Sequence, residues 1–174
     1  RGEIVVLMGA NGTGKTTLVE AILFNKGVVN RMGSVDNGTA FTNYTEEEKK
    51  RGITIHTAIV ELEHKHHRLQ LLDMPGYPDF VADIRNSIRV ADSLILTLSA
   101  DAGVEVETEK VWAYADEFEL PRLVIVNKMD RERANFIGCL DSLKNSFELE
   151  CVPLQMPIGA ESNFKGIIDL LRMK

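Results

Sequence analysis

One octapeptide constrains this chain more than any other feature. Gly9-Ala10-Asn11-Gly12-Thr13-Gly14-Lys15-Thr16 fits the pattern G-x-x-x-x-G-K-S/T. It follows Ile4–Met8, a short apolar run that suits a strand buried on both faces. It opens a helix-like stretch, Lys15 to Lys26, with apolar residues at Leu18, Ala21, Ile22 and Leu23. Strand, glycine loop and helix in that order are the context the motif requires. Glycines let backbone N–H groups turn inward around phosphate oxygens, and the helix start adds the positive end of its dipole. Lys15 is expected to reach the β and γ phosphates as a point charge, and Thr16 to offer its hydroxyl to Mg2+. The expected phosphate-binding residues run from Gly9 through Thr17.

The remainder alternates strand and helix. Residues 28–52 are polar and lack periodicity, and so long a stretch inside a compact domain is often functional. Ile53–Leu62 and Arg68–Leu72 read as strands joined by a polar turn at His64–His67. A helix is expected over Asp79–Val90. Strand Leu94–Leu98, helix Glu105–Phe118, strand Leu123–Val126, helix Arg133–Phe147 and strand Val152–Met156 follow. This order implies an α/β fold, a mostly parallel sheet with helices on both faces. Ligands in such sheets bind at the carboxyl ends of the strands.

Composition supports one soluble domain. The 174 residues are 44% hydrophobic, and 20 basic against 26 acidic residues leave a net charge of −6, which argues against gripping nucleic acid by bulk charge. Apolar runs such as Ser93–Leu98 are too short to span a bilayer, and no signal peptide is evident. Cys139 and Cys151 form no CxxC pair and read as thiols of a reducing compartment. A cytoplasmic monomer without membrane contact is expected.

Two further motifs sit at strand ends. Asp73-Met74-Pro75-Gly76 ends the strand Arg68–Leu72; Asp73 is placed to hold Mg2+, and Gly76 leaves its N–H free to approach a γ-phosphate. Thr54, in Arg51-Gly52-Ile53-Thr54, is a candidate to complete the Mg2+ shell when a triphosphate is bound. Asn127-Lys128-Met129-Asp130 follows the strand Leu123–Val126. The Asp130 carboxylate can accept from both N1–H and the 2-amino group of guanine, a donor pair that adenine lacks. Lys128 can lay its stem along the base, and Asn127 can tie this loop to the phosphate loop. A kinase or ATPase with the same phosphate loop is disfavoured by this tetrapeptide.

With these motifs in order, the chain resembles the guanine-nucleotide domain of a translational GTPase, most closely the elongation factor G family and its divergent paralogues. The resemblance runs nearly end to end. It rests on the phosphate loop and on EEEKKRGITI (46–55), DMPGYPDF (73–80), NKMDRERANF (127–136) and VPLQMPIGAESNFKGIIDLLRMK (152–174). It implies a Ras-like P-loop fold, GTP and GDP binding, Mg2+, ribosome-stimulated hydrolysis, and switch segments within 28–54 and 73–92. The family's functional positions carry over to Lys15, Thr16, Thr54, Asp73, Gly76, Asn127, Lys128 and Asp130.

Three positions depart from the family pattern. Tyr77 stands where the family has the histidine that positions the attacking water, Gly12 where an Asp is common, and Asn43 where switch I has an Asp. These departures leave binding intact and bear on rate. The resemblance therefore implies either a slow, activator-dependent GTPase or a nucleotide-gated ribosome-binding switch with little turnover. It also divides the chain into a nucleotide-binding core, 1–158, and the start of an insert, 159–174. The fifth guanine loop and the later domains of the family lie beyond it, so apolar surface near Val152–Met156 is expected to be uncovered.

Other features read as ordinary surface. His64, His66 and His67 fit a solvated turn, and Glu46–Arg51 a solvated helical face with i, i+4 pairing. Arg85 and Arg89 fit salt bridging, and Trp112 fits a core position on its helix.

Overall fold

The computed structural model of the chain describes residues 2–76 and 81–174. Its elements are β1 (Gly2–Met8), α1 (Lys15–Asn25), α2 (Glu46–Arg51), β2 (Ala58–His64), β3 (His67–Asp73), α3 (Val81–Val90) and β4 (Ser93–Ser99). Then come α4 (Val106–Glu117), β5 (Arg122–Asn127), α5 (Phe136–Phe147), β6 (Gln155–Ile158), a short 3-10 turn at Glu161–Asn163, and β7 (Gly166–Asp169). Five strands form one sheet in the order β2-β3-β1-β4-β5. Within it the β2–β3 pair is antiparallel; β1 pairs in parallel with β3 and β4, and β4 with β5.

The central strand shows why a continuous apolar run is needed there. Alternate residues point to opposite faces. Val5 and Leu7 pack with Val19 and Leu23 of α1 and with Val60, Leu62 and Leu71. Val6 and Met8 face the other way, into a core shared with Ile84 and Ile88 of α3, Val111 and Ala115 of α4, and Leu143 of α5. Helices therefore cover both faces, as the alternation of elements predicts.

Several element bounds differ from the sequence reading, for local reasons. The buried face of α1 runs through Lys15, Thr16, Val19, Glu20 and Leu23; of the expected apolar stripe only Leu23 lies on it, while Leu18, Ala21 and Ile22 are half-buried. The first strand of the hairpin starts at Ala58, not Ile53, because the amides of Ile55 and His56 bond to the Glu48 side chain instead of a neighbouring strand. The hairpin turn holds Lys65 and His66 at positive φ, 49° and 68°, the backbone sense that suits a two-residue connection. Helix α5 begins at Phe136 because the Asn135 side chain caps it, accepting from the Gly138 N–H at 2.8 Å. The expected helix start at Asp79 lies outside the described residues.

The last expected strand departs most. Val152 is 81% exposed, and the strand is Gln155–Ile158. It pairs antiparallel with β7 as a separate two-stranded ribbon. The chain turns back through Glu161–Asn163, so the partner within easiest reach is its own return strand. This ribbon spans the expected boundary at 158/159. Between it, β5 and α5 lies an open groove of about 1090 Å³, lined by residues that include Leu123, Ile125, Leu140 and Leu154.

The side elements are tied by aromatic and ionic contacts. Trp112 stacks on Phe147, ring centroids 4.1 Å apart, and Arg122 lies over its ring at 4.4 Å while pairing with Asp116 at 2.6 Å. Arg85 pairs with Glu117 at 2.6 Å. No helix among the described residues is long and apolar enough to cross a membrane.

The packing makes a direct prediction. Leu96, fully buried in β4, should lose about 3 kcal/mol of stability as Leu96→Ala. Ile59, 67% exposed on the edge strand β2, should change by no more than about 0.5 kcal/mol as Ile59→Ala. Urea unfolding of the two variants checks the contrast.

Candidate nucleotide-binding site

The phosphate loop joins β1 to α1 at the carboxyl end of the sheet. To aim N–H groups inward, such a loop must turn its carbonyls outward, and each then needs a donor. The donors are present. Thr97 of β4 donates to Met8 O at 3.0 Å, and Thr13 Oγ1 donates to Ala10 O at 3.0 Å. Lys15 Nζ donates to Gly9 O at 2.9 Å and Ala10 O at 3.0 Å. Burial pushes the Lys15 ammonium down to about 8, with Asp73 pulling the other way and Lys128 adding to the fall. A phosphate would supply the counter-charge that this buried lysine lacks.

The base-reading loop supplies the remaining donors. Asn127, the last residue of β5, donates from Nδ2 to Thr13 O at 2.9 Å, and Lys128 Nζ donates to Gly12 O. Asn127 thus ties the two loops as expected. The tie explains Gly14, whose φ is +91° and where a Cβ would stand 2.5 Å from Asn127 Nδ2. Gly12 differs: it holds φ +78°, yet a Cβ would meet nothing within 4 Å, so the space for the family's Asp is open. Met129 is buried in a small apolar cluster with Ala100 and Ala134, fixing the loop from below, while Asp130 stays exposed.

Asp73 is fully buried at the end of β3. Its Oδ2 accepts from Thr16 Oγ1 at 2.7 Å and from Thr42 Oγ1 at 3.1 Å. Thr54 Oγ1 lies 3.1 Å from Thr16 Oγ1 and donates to Asn43 Oδ1 at 3.1 Å. So Thr16, Thr54 and Asp73 do converge. Burial pushes the Asp73 carboxyl up, against the opposing pull of Thr16, Lys15 and Thr42. Among the described residues its Oδ1 has no partner. With Asp73 ionised, Thr16 directs its one proton to Asp73 and Thr54 its one proton to Asn43, leaving lone pairs facing each other. An orphaned carboxylate oxygen beside two hydroxyl oxygens is a hard donor set that suits Mg2+.

Gly76 comes up against the phosphate loop. A Cβ there would lie 2.8 Å from Lys15 Nζ and 2.9 Å from Asn11 Cα. Pro75 is buried, Met74 is wholly inside the core, and Thr17 is exposed. Tyr77 lies outside the described residues.

Four functional neighbours carry no motif signature. Thr97 and Thr42 act through single hydroxyls on the loop and on Asp73. Glu20 is 1% exposed and accepts from Gly33 N at 2.8 Å and Phe41 N at 2.6 Å. Glu48 corrects the expectation of a solvated face over 46–51. Glu46 and Glu47 are exposed, with ion pairs to Lys49 and Arg51, but Glu48 is fully buried. Thr45 and Glu48 form a reciprocal capping box at the start of α2, which turns that one glutamate inward. Burial raises its carboxyl, but the amides of His56, Ile55 and Thr45 and the Thr45 hydroxyl outweigh this and hold it below the usual range.

Comparison with known proteins fits this geometry. Residues 2–173 match the family described as Elongation factor Tu GTP binding domain. Relatives include Elongation factor G of Granulibacter bethesdensis, 42% identical over 92% of this chain and 23% of the relative. Elongation factor G of Wolbachia pipientis subsp. Culex pipiens is 44% identical over 97% of this chain and 24% of its own length. Elongation factor G 2 of Borreliella afzelii is 41% identical over 97% of this chain and 25% of its own length. A crystal structure of a Thermus thermophilus protein superposes with a TM-score of 0.91 at 38% identity, covering 98% of this chain and 26% of that one. The chain thus spans about a quarter of the length of the curated relatives it matches. With its phosphate loop, buried Asp73 and base-reading loop at one end of a mostly parallel sheet, the chain belongs to the elongation factor Tu GTP binding domain family and is a GTP-binding domain homologous to elongation factor G.

Proposed function

We propose that the chain binds GTP and GDP with Mg2+ and hydrolyses GTP as part of a ribosome-associated factor of the elongation factor G type. One observation carries this reading: four sequence-distant segments meet at the carboxyl ends of β1, β3 and β5, bringing Lys15, Thr16, Thr54, Asp73 and Gly76 together and tying Asn127 to the phosphate loop. Homology to elongation factor G supports hydrolysis and ribosome contact.

The chemistry asked of these residues is positioning and charge stabilisation. The phosphate-loop N–H groups and the start of α1 cradle the phosphates. Lys15, an ammonium with three protons of which two are directed at Gly9 O and Ala10 O, turns its remaining donor capacity and its charge toward the phosphate oxygens. Thr16, Thr54 and Asp73 would hold Mg2+, which supplies positive charge beside the phosphates. The Gly76 N–H meets the γ-phosphate, and its missing Cβ is what allows the approach. Tyr77 orients the attacking water by hydrogen bonding. A neutral phenol is a poor base at neutral pH, so turnover is slow until an activator contributes. Asn127, Lys128 and Asp130 read the guanine.

Two outcomes test the reading. GDP and GTP should raise the melting temperature, by an amount that corresponds to about 2.7 kcal/mol at a hundredfold excess over Kd. ATP should not, and Lys15→Ala should abolish the shift; stabilisation by ATP equal to that by GTP would sink the guanine reading. Asp130→Asn should weaken GDP binding by roughly 10- to 100-fold, the loss of a charge-assisted pair of hydrogen bonds. It should also shift preference toward xanthine nucleotides, read by competition titration.

A further inference from the structure

The mechanism above leaves two buried carboxylates unused. Among the described residues neither Glu20 nor Glu48 pairs with a cation, yet each is almost wholly buried. A buried carboxylate without a counter-ion persists only when hydrogen-bond donors satisfy it. Here the donors are backbone amides of the long polar segment that precedes β2. Glu20 takes Gly33 N and Phe41 N. Glu48 takes Ile55 N at 2.9 Å and His56 N at 3.0 Å on one oxygen, and Thr45 N at 3.0 Å with Thr45 Oγ1 at 2.8 Å on the other.

The placement of these grips follows a rule. Phe41 immediately precedes Thr42, which donates to Asp73. Ile55 immediately follows Thr54, which lies against Thr16. Glu20 itself sits one helical turn beyond Thr16 on the same buried face of α1. So one carboxylate fixes the segment to the phosphate-loop helix just before Thr42, and the other fixes it just after Thr54. Gly33 reinforces the first grip: a Cβ there would come 2.5 Å from Glu20 Oε2 and 2.4 Å from Thr39 O.

We propose that Glu20 and Glu48 are positioning residues for the Asp73 cluster, each gripping the backbone one residue away from a hydroxyl that the cluster uses. The proposal rests on the reading of that cluster as the Mg2+ and γ-phosphate site. A glutamate that served only to stabilise the fold would change unfolding alone. One that positions Thr54 and Thr42 must also change how Mg2+ acts on bound nucleotide.

The test uses the full 174-residue chain with Glu48→Ala, Glu48→Gln, Glu20→Gln and Gly33→Ala. Amide hydrogen exchange, measured without nucleotide, should rise about 10- to 100-fold at Ile55 and His56 in Glu48→Ala. In Glu20→Gln and Gly33→Ala it should rise at Phe41, with β1 and β4 still protected in every variant. GDP affinity in EDTA should change less than about threefold, because no phosphate or base contact is touched. The Mg2+ concentration that half-maximally slows release of a fluorescent GDP should rise about tenfold or more. Glu48→Gln, which keeps one oxygen on Ile55 and His56, should fall between wild type and Glu48→Ala; it and Gly33→Ala carry the test if Glu48→Ala does not fold. Faster exchange with an unmoved Mg2+ dependence would overturn the positioning role, as would unchanged exchange. A wild-type chain whose GDP release ignores Mg2+ would overturn the cation reading of the Asp73 cluster instead.

Discussion

The fold turns on the need to satisfy the backbone of the phosphate loop from behind. An anion-binding loop commits its N–H groups to the ligand, so its carbonyls need donors from the rest of the protein. Those donors come from well-separated parts of the chain: Thr97 from β4, Asn127 from the end of β5, Lys128 from the following loop, and Lys15 from the loop's own helix. This requirement sets β1 in the centre with β4 and β5 to one side. It also places the base-reading loop where a nucleotide would span from Lys15 to Asp130. Asn127 and Lys128 therefore hold the two loops together as structural donors, and the loop geometry does not wait for the ligand.

The architecture is largely legible in the sequence because the sheet is parallel and doubly covered. Val5 to Met8 must be apolar at every position, and such a run ending in glycine has few other readings. The misreadings share a cause. Ile53 to Thr57 has strand-like residues, but its amides are claimed by a side chain seven residues earlier, and no periodicity reports such a claim. Val152 to Met156 has strand composition, yet pairing depends on which edge is within reach, and β6 pairs with β7 rather than β5. Composition also misplaces Glu48. Three glutamates in a row read alike, and only the capping geometry distinguishes the third.

The site is legible where chemistry needs a fixed spacing within one segment, and illegible where it needs a contact across segments. Lys15, Asp73, Gly76, Asn127 and Asp130 announce themselves by their neighbours in sequence. Thr97 is one threonine in an apolar strand, and its partner Thr13 lies at a sequence distance of 84 residues. Glu20 looks like an ordinary helix residue on any linear reading. Its role depends on Gly33 leaving room for it. Two of the three departures from the family pattern also separate here. Asn43 is engaged with Thr54, whereas Gly12 faces open space.

The glycines of the site give this chain an inverted map of what change it can bear. In an ordinary core the large residues are the vulnerable ones, and conservative swaps among them are absorbed. Around this nucleotide site the smallest residues are the least replaceable. At Gly9 an added methyl would fall 2.3 Å from Thr97 O, and at Gly14 it would fall 2.5 Å from Asn127 Nδ2. Those two positions guard the attachment of the phosphate loop to β4 and β5. Gly12, in the same loop, guards nothing but its own backbone angle. Gly12 is thus limited by its backbone angle of +78° and not by its neighbours, and it is the position where this chain differs from the family's common aspartate.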